Sequence, residues 1–86
     1  MDLEVLRSRI DRVDEDLIRL LNQRADAALA IGREKKERGA PVVDPARENA
    51  VLKRARTLNK GPLSDDDLEA IYRTIVEACA RIQSEL

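Results

Sequence analysis

The chain's 86 residues are expected to form one domain, residues 1–86, and its 38% charged side chains are so evenly split (16 basic, 17 acidic) that a general nucleic-acid binder is not expected. One Tyr and no Phe or Trp leave no stacking platform for single-stranded bases, and the absence of His removes His-based triads, His metal sites and the commonest general base. Cys79 is the only cysteine and suits a reducing compartment; no apolar run approaches the ~20 residues of a membrane span, and the acidic start MDLE is unlike a signal peptide. These features point to an all-α, cytoplasmic protein.

The first predicted helix runs from about Asp2 to Arg38, with Gly32 its one interior glycine and Gly39, followed by Pro41, its stop. It carries a heptad stripe: one row holds Leu3, Ile10, Leu17, Arg24 and Ile31, the companion row Leu6, Val13, Leu20 and Ala27. After the short connection GAPVV, Asp44 and Pro45 read as N-cap and first residue of a second helix, with Val51, Leu52, Ala55 and Leu58 at helical spacing and Gly61-Pro62 as its end. Ser64 with Asp67 three residues on is a variant capping box for a third helix. Its buried stripe is read as Leu68, Ile71, Tyr72, Ile75, Val76, Cys79 and Ile82.

A first helix of that extent is a rod of roughly 54 Å, whereas a compact chain of this length has a radius of gyration near 12 Å. Two shorter helices cannot cover the rod, yet its apolar stripe runs nearly end to end. The expected cover is a second copy, in an intertwined homodimer with the long helices antiparallel.

Within the stripe Arg24 takes a place otherwise reserved for Leu and Ile, and Lys35, eleven residues on, leaves the helix on nearly the same side, roughly 16 Å further along. Lys36 points about 120° away and reads as solvent-facing. A cation on a buried face is costly unless it meets an anion. The five-residue turn returns Asp44, Arg47 and Glu48 towards Lys35, and Gln83 follows Cys79 by one helical turn at the edge of the third stripe. Arg7 lies about 25 Å from Arg24 along the rod, beyond reach within one chain but not from an antiparallel partner. Taken singly, Arg47–Glu48 reads as a surface pair, Cys79 as a small core residue and Gln83 as a helix-edge amide. Together they outline a cationic pocket for a small dianion whose reaction needs no proton transfer and no nucleophile.

The segments LRSRID, LLNQRADAALAIGREKK, PVVDPARE and IVEACARIQ, covering Leu6 to Gln83, resemble the all-α chorismate mutases. The shared motifs are Arg7, Arg24 and Lys35 at their spacings, D-x-x-R-E at Asp44–Glu48, and Glu77 six residues before Gln83. The resemblance implies a homodimer of three-helix chains that turns chorismate into prephenate for phenylalanine and tyrosine biosynthesis, without cofactor or metal, either alone or as the mutase domain of a bifunctional mutase/prephenate dehydratase. It implies that Arg24 of one chain and Arg7 of the other clamp the two substrate carboxylates. Lys35 and Gln83 would donate to the ether oxygen of the breaking bond. Glu48 and the Asp44 backbone would hold the ring hydroxyl, with Arg47 at the carboxylate end. Cys79 stands where the family often has Ser and, as a weak donor, would make a weaker substrate contact.

Two other readings share the fold. Isochorismate pyruvate-lyases use a similar cationic pocket; the DPARE segment and Gln83 favour the mutase. A non-catalytic dimerisation or regulatory module accounts for the heptad stripe but not for Arg24 within it.

Overall fold

The computed structural model describes residues 2–86 as three helices: α1, Leu3–Arg38; α2, Pro45–Leu58; and α3, Asp65–Ser84. Each begins on a side-chain cap that offers an oxygen to an otherwise unpaired backbone N–H. The Asp2 carboxylate accepts from the Glu4 N–H at 2.9 Å, Asp44 from the Arg47 N–H at 3.1 Å, and the Ser64 hydroxyl from the Asp67 N–H at 3.0 Å. α1 runs unbroken through Gly32 and ends where Gly39 adopts φ 68°, a left-handed conformation that a side chain would strain. The Gly39 and Ala40 N–H groups turn back onto the carbonyls of Lys36 and Lys35, closing a Schellman motif.

The end of α2 departs from the sequence reading. The helix stops at Leu58 rather than at Gly61-Pro62, because the Asn59 side chain takes over the turn. Its amide nitrogen donates to the Leu63 carbonyl and to Asp65 Oδ1, both at 2.8 Å, while its oxygen accepts the Gly61 N–H at 3.1 Å. Arg56 adds a tie from the last turn of α2 to Asp66 at 2.9 Å, and that hydrogen bond raises the guanidinium's already high pKa.

α3 lies between the other helices and packs against both. The core is small: Ala28, Leu52, Ala55 and Cys79, with Gly32 buried beside them. Leu21 and Ala25 line a groove with Ile75, Ala78 and Ile82, so the face of α1 turned towards α3 follows Leu21, Ala25, Ala28 and Gly32. That face is one step round from the heptad stripe. The small residues Ala25, Ala28 and Gly32 let α3 approach α1 closely there.

The stripe itself stays open. Leu3, Leu6, Ile10, Val13, Leu17, Leu20 and Ile31 are all exposed, Ile10 at 60%. Ile71, expected in the α3 stripe, is likewise 47% exposed, on a face that the two neighbouring helices leave bare. The radius of gyration is 15.9 Å against about 12 Å for a compact chain of this length. The extents, 55 × 23 × 15 Å, match the rod expected of α1. No helix of the described residues is long and apolar enough to cross a membrane.

Candidate active site

A cavity of about 280 Å³ opens where the second half of α1, the start of α2 and the end of α3 meet. Three cations face it, Arg24, Lys35 and Arg47, against two carboxylates, Asp44 and Glu48; Cys79 and Gln83 complete its polar lining. Its walls are apolar and small, with Ala27, Ala28 and Ile31 from α1 and Val76 and Ala80 from α3. A concave site with apolar walls and a few converging polar groups is the usual form of a small-molecule site.

Particular contacts place Arg24, Lys35, Gln83 and Asp44. Arg24 donates from Nη1 to Cys79 Sγ at 3.2 Å, across the packed face of α1 and α3. The thiol is buried, and it steers the guanidinium along the cavity wall. Lys35 reaches over the α1–α2 connection to the Val42 carbonyl at 3.0 Å. One of the ammonium's three donors is used there and two remain. Gln83 donates from Nε2 to the Ala28 carbonyl at 2.7 Å. Asp44 spends its carboxylate on the α2 cap, and its carbonyl accepts the Glu48 N–H at 3.0 Å, which sets Glu48 one turn into the helix.

Among the described residues Arg24, Lys35 and Arg47 form no ion pair. Arg47 and Glu48 are therefore not the surface pair that their adjacency allows. Neutral partners orient Arg24 and Lys35 and leave their charge unpaired, so the cavity is suited to an anion.

The comparisons with known proteins decide the family. Residues 6–84 match the family described as chorismate mutase type II. The chain belongs to that family. It is 45% identical over 80 residues to the bifunctional chorismate mutase/prephenate dehydratase of Neisseria gonorrhoeae, an alignment covering 93% of this chain and 22% of that protein. The chain thus spans about a fifth of the length of this relative. Among solved structures, chorismate mutase (form II) from Thermus thermophilus superposes with a TM-score of 0.93 at 32% identity, over 95% of this chain and 93% of that one. Chorismate mutase from Helicobacter pylori, solved in complex with prephenate, superposes with a TM-score of 0.87 at 32% identity, over 96% of this chain and 90% of that one.

Set in the chorismate mutase family, the candidate residues divide cleanly. Arg24, Lys35, Asp44, Arg47, Glu48, Cys79 and Gln83 all line the one cavity. Arg7 does not. It lies in the exposed first half of α1, paired with Glu4 at 3.0 Å, its side chain 63% accessible. The sequence reading missed the backbone groups that aim the donors, the carbonyls of Ala28 and Val42, and it missed Gly32 beneath Gln83. Ala28 and Gly32, four residues apart on one helical face, were the available signal.

Proposed function

We propose that this chain converts chorismate to prephenate as a cytoplasmic homodimer, each active site drawing on both chains. The observation that carries the reading is the cavity of a type II chorismate mutase family member in which Arg24, Lys35 and Gln83 converge with no carboxylate paired to either cation. The prephenate complex of the Helicobacter pylori mutase, a close structural match, supports it.

The rearrangement is intramolecular: the ether C–O bond breaks while a C–C bond forms between the pyruvyl methylene and the ring, and no proton changes place. The protein's task is to hold a compact conformer and to stabilise charge. Arg24, and the partner's Arg7, would fix the two carboxylates with guanidinium forks, and holding a near-attack geometry lowers the entropic part of the barrier. Lys35 and Gln83 would donate to the ether oxygen, which gains negative charge as its bond stretches; donors aimed there favour the transition state over the ground state. Glu48 and the Asp44 backbone would receive the ring hydroxyl, with Arg47 at the carboxylate end and Cys79 positioned to touch a carboxylate.

The dimer is supported by the uncovered stripe of α1, a continuous apolar surface of the kind that marks an association face. Arg7 is available to such a partner, because an exposed pair with Glu4 one helical turn away stabilises by only about 0–1 kcal/mol and yields readily to a substrate carboxylate.

The direct test is incubation of purified protein with chorismate, following loss of its absorbance and appearance of prephenate, with isochorismate in parallel. Prephenate as the product is the expected result. Pyruvate released from isochorismate, with chorismate untouched, would assign the lyase reaction instead.

A second expectation concerns pH. The wild-type kcat should be nearly flat from about pH 5 to 8, because the Gln83 amide does not titrate and the rearrangement transfers no proton. Gln83→Glu should work best in acid. Its protonated carboxyl can donate a hydrogen bond; once ionised it faces both the Ala28 carbonyl and the developing negative charge. Turnover should therefore fall as pH rises through the new group's pKa. The Ala28 carbonyl and Glu48 would push that pKa up, whereas Lys35, Arg24 and Arg47 would pull it down. A wild-type profile in this variant would mean that the side chain does not face the ether oxygen.

A further inference from the structure

Glycine inside a helix costs about 1 kcal/mol relative to alanine, and α1 carries a single one in its 36 residues, at a buried position. The surroundings explain why it is tolerated. A Cβ at Gly32 would lie 2.9 Å from Gln83 Cγ, 3.3 Å from Gln83 Cβ and 2.8 Å from Leu86 Cδ1. The Leu86 atom is the free end of a flexible side chain and can swing away. Gln83 cannot, because its Cβ is fixed by the α3 backbone and its amide is tied to α1 at the Ala28 carbonyl, 2.7 Å away.

That carbonyl is one helical turn before Gly32 and already receives the helical N–H from it. A carbonyl oxygen has two lone pairs, so it can hold the Gln83 amide as well, but it has no proton to give. It therefore selects Nε2 over Oε1 and fixes which way the amide is turned. One hydrogen of Nε2 goes to Ala28; the second remains on the same nitrogen, in a side chain that lines the cavity. An amide turned the other way would present Oε1, which repels an oxygen gaining negative charge.

We infer that Gly32 and the Ala28 carbonyl form a seat that holds the Gln83 amide with its free N–H towards the substrate, making Gly32 a positioning residue. The inference rests on the reading of the cavity as a mutase site. Gly32→Ala should lower kcat by about tenfold to a hundredfold, up to the loss expected from misplacing one charge-stabilising donor. KM should change by less than about threefold, because the carboxylate-holding Arg24 is untouched and alanine is the better helix former. In a Gln83→Ala background the same substitution should cost nothing further, since a residue that acts only through Gln83 has nothing left to position. Equal losses in both backgrounds, or no loss in the first, would overturn the inference.

A second measurement needs no turnover. The side-chain amide protons of Gln83 can be compared by ¹⁵N NMR with those of the exposed Gln23, the chain's other glutamine. One Gln83 proton should be shifted downfield and protected from exchange in the wild type. Gly32→Ala should return it to Gln23-like behaviour. Two Gln83 protons already behaving like those of Gln23 in the wild type would overturn the seat even in an active mutase. A protected proton in a protein that leaves chorismate unchanged would retain the seat and remove only the reading of its substrate.

Discussion

Replacing Lys35 by Ala is expected to lower kcat at least a hundredfold, while Lys36→Ala stays within a few-fold of the wild type. The two side chains are sequence neighbours of the same chemistry and differ only in direction. Lys35 is half-buried on the cavity wall, held by the Val42 carbonyl with two donors to spare. Lys36 is exposed and reaches the Leu86 carbonyl at 2.9 Å, away from the cavity lining. Removing a preorganised donor from a developing oxyanion typically costs about 10²–10³ in rate, or roughly 2.7–4 kcal/mol of barrier. Removing a surface tie leaves chemistry alone. Steady-state kinetics on the two purified variants, with circular dichroism to verify folding, makes the comparison. Similar rates in the two would mean that direction from the helix, and hence the cavity, has no part in catalysis.

Two inactive variants should restore each other. On the proposed shared-site reading, Arg7→Ala and Arg24→Ala each remove one carboxylate fork, and each protein alone should show little turnover. In a mixed dimer one site takes Arg24 from the first chain and Arg7 from the second, while the other site loses both. Random pairing of equal amounts makes half of the dimers mixed, so up to about a quarter of all sites should recover. The structural basis is separation: Arg24 lines the cavity at mid-helix, whereas Arg7 sits in the exposed first half of α1, tied to Glu4. Subunit exchange can be verified with a mass-tagged chain. Exchange without any recovery of activity would rule out shared sites and leave Arg7 as a surface arginine.

Both expectations rest on distinctions that the sequence held in part. The caps at Asp44 and Ser64 and the stop at Gly39 were readable because capping is local: a side chain bonds a backbone group two or three residues away, and the residue types that can do this are few. The turn after α2 was misread because Asn59, an ordinary residue in the text, uses three hydrogen bonds to end the helix before the glycine and proline. Arg24 was singled out as a cation within an apolar row, Lys35 by sharing its side of the helix and Gln83 by its place at the edge of the third stripe, together with the resemblance to the mutases. Their carbonyl partners left no mark, since every residue carries one.

The sequence by itself determined the three helices, the length of α1 and the placing of Arg24 and Lys35 on nearly one side of it, because periodicity and charge are properties of order along the chain. Only the tertiary structure decided which face of α1 does the packing. The heptad stripe pointed to a second copy and not to α3, which lies against Leu21, Ala25, Ala28 and Gly32, where two alanines and a glycine leave little side chain between the helices. That choice leaves the larger apolar residues bare and brings Gln83 down onto a carbonyl that no periodicity could have named.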